Sequence, residues 1–98
     1  MLGTTDIVAF VPTTDFDRAR SFYEGVLGLR FVKNDGFAMV LDANGTPVRV
    51  SKVRDFTPAS FTVLGWEVTG IEAAVSSLLE RGVRFERFGL PGQDELGV

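Results

Sequence analysis

The fold is decided by the stretch Asp15-Phe16-Asp17-Arg18-Ala19-Arg20-Ser21-Phe22-Tyr23-Glu24-Gly25-Val26-Leu27-Gly28-Leu29. Its apolar residues recur at helical spacing and form one stripe, while most of its charged residues lie off that stripe. Thr14 and Asp17 form a capping-box pattern at the start. Gly28 can end the helix in the left-handed conformation. The stretch therefore predicts an amphipathic helix over residues 16–27.

Short strands are predicted on both sides of this helix. Apolar or alternating runs bounded by turn residues indicate them at residues 6–11, 30–33, 37–41 and 47–53. A turn at residues 34–36 and the hairpin pair Asn44-Gly45 separate the last three. Residues 1–53 therefore predict one β-α-β-β-β module.

The same order of elements restarts in the second half of the chain. After a linker over residues 54–60, residues 61–68 predict a strand and residues 71–81 a second helix. Thr69 and Glu72 form its capping box. The two helix exits correspond residue for residue: Gly28-Leu29-Arg30-Phe31 and Gly82-Val83-Arg84-Phe85. This correspondence predicts an internal duplication.

The second module, residues 61–98, is predicted to be incomplete. One strand begins at Val83, and no hairpin follows it to supply a third and a fourth strand. An open sheet edge is seldom left uncovered in proteins. The expectation is a single α+β domain, residues 1–98, that either continues beyond Val98 or completes its sheet as a homodimer.

Composition restricts the chemistry that this chain can perform. With 13 acidic and 10 basic residues, a net charge of −3 and no basic run, a nucleic-acid partner is not expected. No apolar run is long enough to span a membrane, so a cytoplasmic location without membrane binding is expected. The chain has neither Cys nor His. A Ser-His-Asp triad and imidazole or thiolate metal ligands are therefore excluded.

The helical stretch resembles the first helix of the glyoxalase/bleomycin resistance protein/dioxygenase superfamily, also called the vicinal oxygen chelate (VOC) superfamily. A D-x-x-R-A-x-x-FY-x-x-x-LGL run recurs there and stands here at residues 15–29. Trp66-Glu67-Val68 and Gly82-Val83 resemble the second copy. The resemblance covers almost the whole chain and implies paired βαβββ modules whose sheets curve round a shared pocket. It does not fix the function, since the superfamily includes isomerases, dioxygenases, epimerases and drug-sequestering proteins.

The resemblance also implies where metal ligands would stand. His commonly leads the first strand of each module, and Glu commonly lies on the fourth. In this chain Asp6 and Val63 occupy the leading positions, and Arg49 occupies the Glu position. We therefore expect no metal and no cofactor.

Arg49 is the principal candidate for ligand binding. Its planar, permanently charged guanidinium suits a carboxylate, phosphate or phenolate. The alternative is an ordinary strand arginine that is paired with Asp6 or another acid, or is simply solvated. Ser51 lies on the same strand face. Phe10 can line an apolar ligand site or belong to the core. Phe22 and Tyr23 lie on the apolar helix stripe and are expected in the core.

Two carboxylates are the candidate catalytic groups. Glu67 alternates onto the face of Val63 and Gly65, where it can act as an acid or base or contact a ligand; an exposed strand carboxylate is the alternative. Asp6 is a lone general base or a polar residue at a strand start.

Three functions remain open from the sequence. The favoured one is metal-independent binding of a small organic molecule, anionic or aromatic. The others are an isomerase, lyase or dioxygenase-type enzyme that uses carboxylate chemistry or a metal ligand beyond residue 98, and an interaction module without a ligand. Whether the chain is an enzyme stays open.

Overall fold

Four strands and two helices are formed by residues 1–85, the part of the chain that the computed structural model describes. The strands are β1 (Ala9–Thr13), β2 (Arg30–Asn34), β3 (Ala38–Ala43) and β4 (Thr46–Lys52). The helices are α1 (Phe16–Arg20), which continues as a π-helical segment (Ser21–Val26), and α2 (Ile71–Glu80). All four strands and α1 lie in one compact unit, Met1–Trp66, and α2 lies in a second that begins at Glu67. The predicted α+β class and the β-α-β-β-β order of the first module are confirmed.

The strands form one mixed sheet in the order β1-β4-β3-β2. β1 runs parallel to β4, whereas β3 is antiparallel to both β4 and β2. The hairpin between β3 and β4 turns at Asn44 and Gly45, whose φ angles of 50° and 92° are both positive. Two positive φ angles are the signature of the type I′ hairpin that the Asn-Gly pair predicts.

The core lies between one face of this sheet and α1. Alternate strand residues point to it, so that Val48 and Val50 are buried while Arg49 between them is not. Leu41 and Val50 are completely inaccessible to solvent. The buried cluster consists of Val11, Ala19, Leu29, Met39, Leu41, Val48 and Val50. Met39, at 1% exposure, is among the least accessible members of this cluster.

β1 begins later than predicted. Residues 6–11 were expected to form it, but Asp6 precedes the strand and is exposed. The register explains the difference, because Ala9 lies opposite Val48 in a parallel pair. Counting back along both strands places Asp6 opposite Gly45. Gly45 belongs to the hairpin turn, so it is not part of a strand that could pair with Asp6.

Both helices begin at the predicted residues, but each N-cap lies one residue after the predicted one. Asp15, not Thr14, is the N-cap of α1, because its Oδ1 accepts a hydrogen bond from the Arg18 backbone N–H at 3.2 Å. Gly70 is the N-cap of α2 and is left-handed, with φ 72°, so Thr69 lies outside the helix and caps nothing.

The first helix contains one residue more than the second between its caps. Thirteen residue steps separate Asp15 from Gly28, and twelve separate Gly70 from Gly82. The additional residue is accommodated in the π-helical segment, where the Leu27 N–H donates to the carbonyl five residues before it at 2.9 Å.

Both helices end with a backbone hydrogen bond from the residue after the terminal glycine to a carbonyl of the last turn. In the first helix this hydrogen bond spans one residue more than in the second. The Val83 N–H donates to the Leu78 carbonyl at 3.0 Å, which is the Schellman pattern. The Leu29 N–H donates to the Tyr23 carbonyl at 2.9 Å, one residue further back. The correspondence of the exits in sequence is therefore also one of backbone geometry.

The strand predicted over residues 61–68 does not form. A strand needs a neighbour that satisfies its backbone N–H and C=O groups, and no segment among residues 1–85 pairs with this one. Val83, where another strand was expected to begin, is also outside any strand, and residues 86–98 lie outside the described residues. Neither described helix is long and apolar enough to cross a membrane.

Candidate functional site

The second face of the sheet carries the residues that the sequence singles out for ligand binding. At one level across the four strands lie Phe10, Arg49, Val40 and Lys33 as successive register partners. Ser51 lies two residues from Arg49 on the same strand face. We call these five residues the Arg49 face. The members from β1, β3 and β4 alternate with core positions and so point away from α1. Lys33 joins the row as the register partner of Val40, after an irregularity in β2 between Phe31 and Lys33.

Arg49 is held near an acidic turn residue. Its Nη2 atom lies 3.6 Å from Oδ2 of Asp35, and the two side chains are 33% and 36% exposed. The interpretation of Arg49 as a strand arginine paired with an acid is correct to this extent, although the partner is not Asp6. A separation of 3.6 Å exceeds hydrogen-bond length. The guanidinium donates no hydrogen bond to any residue in the described range 1–85.

Asp35 is fixed by its own backbone turn. Its Oδ1 accepts hydrogen bonds from the Phe37 and Ala38 backbone N–H groups, both at 2.9 Å. These two hydrogen bonds are the main cause that lowers the pKa of the Asp35 carboxyl, and the charges of Arg49 and Lys33 add to it. The carboxylate therefore stays ionised and keeps its position beside Arg49 across the neutral range.

Asp35→Asn is expected to make folding less sensitive to acid. A carboxyl with a lowered pKa in the folded state stabilises that state above the unfolded-chain pKa, about 3.9. The stabilisation disappears as the pH falls through the lower folded pKa. Wild type should therefore exceed the variant in unfolding free energy at pH 6, and the difference should shrink below about pH 3.9. Urea titrations at several pH values measure it, and a pH-independent difference would contradict the assignment.

Phe10 and Ser51 complete the face around Arg49. Phe10 is 62% exposed, so it is not a core residue, and it lies directly beside Arg49 across the parallel β1–β4 pair. Ser51 is half-buried and pairs with Ala38 across the antiparallel ladder. Ala38 and Val40 are buried. The arrangement is an apolar floor with one aromatic ring, one hydroxyl and a cation.

Neither of the two candidate acid/base residues lies in a strand. Asp6 precedes β1 and is exposed, so the predicted position at the head of a pocket strand is wrong. Glu67 is exposed and belongs to no strand, so alternation does not direct it to a pocket. Its roles as a catalytic group and as a ligand contact therefore stay predictions that strand alternation does not support. Glu67 also begins the second compact unit.

The residues of this face do not fit a divalent metal. None of the five is a carboxylate, and the two nearby carboxylates each lie beside an arginine, Asp35 at 3.6 Å from Arg49 and Asp42 at 4.0 Å from Arg30. Within residues 1–85, no three acidic residues cluster where they can hold one ion. The arginine at the position where the superfamily commonly has Glu carries a charge that repels a cation.

A second concave region, absent from the sequence-based predictions, lies where β1 turns into α1. We call it the α1 groove, and its volume is about 340 Å³. It is lined by Pro12, Thr13, Thr14, Arg18, Ala19, Phe22, Tyr23 and Phe56. Phe22 is 39% exposed, so its expected core position is wrong. Consecutive residues of a helix point about 100° apart. This spacing was the sequence signal that Phe22 and Tyr23 cannot both face the core.

The architecture is that of a known class of proteins. A glyoxalase/bleomycin resistance protein/dioxygenase from Alicyclobacillus acidocaldarius is similar with a TM-score of 0.67 and 17% identity, over 86% of this chain and 68% of that one. A protein from Bacillus anthracis assigned to the glyoxalase family has a TM-score of 0.67 and 15% identity, over 99% and 93%. TioX from Micromonospora sp. ML1 has a TM-score of 0.62 and 19% identity, over 85% and 76%.

The chain therefore has the glyoxalase/bleomycin resistance protein/dioxygenase fold, as the stretch over residues 15–29 predicts. No protein-family profile and no curated protein matches the sequence. At these identities the similarity extends to the fold and not to the function.

Proposed function

We propose that this protein binds a small organic anion at the Arg49 face without a catalytic metal. One observation carries the proposal: the Arg49 guanidinium donates no hydrogen bond to a residue of the described range. Arg49 lies on β4, an inner strand of the sheet, directly beside the exposed ring of Phe10 on β1. A guanidinium with free N–H donors binds carboxylate and phosphate oxygens in a bidentate manner. The neighbouring ring offers a surface for the apolar part of the ligand.

The local charge supports an anion although the chain as a whole is acidic. Arg49 and Lys33 flank Asp35 and both act on its carboxylate. Two cations and one anion leave an excess of positive charge at this place. Arg30 and Asp42 at the far end of the face lie together and offset each other. An incoming anion can therefore bind Arg49 and Lys33 without displacing Asp35 from its backbone hydrogen bonds.

Arg49→Ala is expected to weaken anion binding by about 1.5–3 kcal/mol, the range for hydrogen bonds to charged groups. The probes are benzoate, phenyl phosphate and nitrophenolate, measured by calorimetry. Arg30→Ala is the matched control, since that arginine is on the same sheet but paired with Asp42. Unfolding should change little in either variant. Equal affinity of both variants and wild type for all probes would contradict the proposal.

We also propose that the protein is a homodimer. β1 is an edge strand of the sheet, and exposed apolar side chains lie on and just before it, at Ile7, Val8 and Phe10. A second copy would cover such an edge. Sedimentation at micromolar concentration is expected to give twice the mass of the chain. A monomer across that range would rule the dimer out.

A further inference from the structure

We propose that the α1 groove is a second binding site, which takes a flat aromatic carboxylate. It is separate from the Arg49 face, because its helical lining residues belong to the element that covers the opposite side of the sheet. The volume of about 340 Å³ is within the range of small-molecule sites, about 300–1,000 Å³.

Aromatic rings form most of the apolar lining. The Phe22 and Tyr23 rings meet edge to face, with centroids 5.2 Å apart and planes at 75°. A flat ligand can stack on one of these rings and meet the edge of the other. Phe56 contributes a third ring from a segment without helix or strand, and it is 46% exposed. Apolar rings that remain this exposed around a concave surface indicate a ligand.

The Phe56 segment is tied to the end of β1. The Val53 N–H donates a hydrogen bond to the Thr13 carbonyl at 2.8 Å, three residues before Phe56. The same Thr13 holds the start of the helix, because its hydroxyl donates to the Asp15 carbonyl at 3.0 Å. Both sides of the groove are thus fixed to one residue, which preorganises the site.

Arg18 supplies the charge that selects an anion. Of the groove's lining residues within the range 1–85 it is the one that carries a charge, and it lies four residues before Phe22 on the same helix side. The other arginine of α1 is used within the fold: Arg20 Nε lies 2.9 Å from Glu24 Oε1, and its guanidinium stacks 3.6 Å above the Phe31 ring. Among the described residues, Arg18 has no side-chain partner of this kind.

Tyr23 and Thr14 provide neutral polar groups. Burial raises the pKa of the Tyr23 hydroxyl, which therefore remains protonated and able to donate a hydrogen bond. Neither hydroxyl bonds to a partner within residues 1–85. A carboxylate has enough acceptor positions for both a guanidinium and a hydroxyl.

The test is an NMR titration of the full chain with naphthoate, with naphthamide as the neutral analogue. Naphthoate is expected to shift the backbone amides of Thr14, Arg18, Phe22 and Phe56. Arg18→Ala should weaken this binding by about tenfold, which corresponds to 1.4 kcal/mol. Phe22→Ala should weaken it by a similar factor. Both side chains are exposed, so neither variant should disturb the fold.

Arg49→Ala is the control, because it removes the other proposed anion site and should leave naphthoate binding at the α1 groove unchanged. Three outcomes would overturn the proposal: no shift at these amides at millimolar naphthoate, equal binding of naphthamide, or unchanged binding in Arg18→Ala. Loss of the groove shifts in Arg49→Ala would also overturn it, since the two sites would then not be separate.

Discussion

Replacing Leu41 with alanine is expected to lower the free energy of unfolding by about 3–5 kcal/mol. Leu41 lies in β3, between β2 and β4, and its side chain is completely buried. It pairs with Val48 across the ladder, and both belong to the cluster beneath α1. The substitution removes apolar contacts and leaves a cavity. Because β3 is hydrogen-bonded to a strand on each side, the backbone cannot move to close that cavity. Small domains have a total stability of about 5–15 kcal/mol.

Urea unfolding followed by circular dichroism measures this change. Phe37→Ala is the matched control, because Phe37 lies just before the same strand and is 84% exposed. That substitution should alter stability by no more than about 0.5 kcal/mol. A loss of equal size in the two variants would mean that the core is not where the sheet and α1 meet.

Deleting one residue from each helix is expected to give opposite results. Removal of Gly25 takes out the additional residue of the first helix, so that the π-helical segment can become regular α-helix. The residues before and after it then keep their faces, and Gly28 keeps its capping position. The stability should stay within about 1 kcal/mol of wild type, with a gain favoured because glycine is a poor helix residue.

Removal of Ser77 from α2 is the matched control. Ser77 is exposed, like Gly25, but α2 has no additional residue to lose. The deletion turns everything after it by about 100°, so that Val75, which is 3% exposed, and Leu78 no longer share a face. The cost should be on the order of 2–5 kcal/mol, as for lost core contacts. A Gly25 deletion as damaging as the Ser77 deletion would show that the π-helical segment is not an inserted residue.

The elements of the first module could be predicted because their signals are local. The helical stripe over residues 16–27, the glycine at position 28 and the Asn44-Gly45 pair each act within a few residues. Each was found where it was expected. The ends of elements were less predictable. Whether Asp6 belongs to β1 depends on where β4 begins, which is a long-range property of the parallel register.

The candidate site also combines features that local sequence predicts with features that depend on long-range contacts. Alternation along β4 correctly places Arg49 and Ser51 on one face. That Phe10 lies beside Arg49 depends on the register between β1 and β4, and the apolar periodicity of the sequence does not determine this register. The partner Asp35 could not be predicted, because a turn residue after β2 reaches β4 across β3. Glu67 was placed by alternation in a strand that does not form.

The central claim is that an organic anion binds at the Arg49 face, and NMR chemical-shift mapping of the complete chain tests it most directly. Benzoate, phenyl phosphate and nitrophenolate are titrated into wild type and Arg49→Ala. We predict that at least one probe shifts the backbone amides of Phe10, Val40, Arg49 and Ser51 together, and that these shifts vanish in the variant. Shifts confined to other residues, or unchanged shifts at this face in Arg49→Ala, would contradict the account.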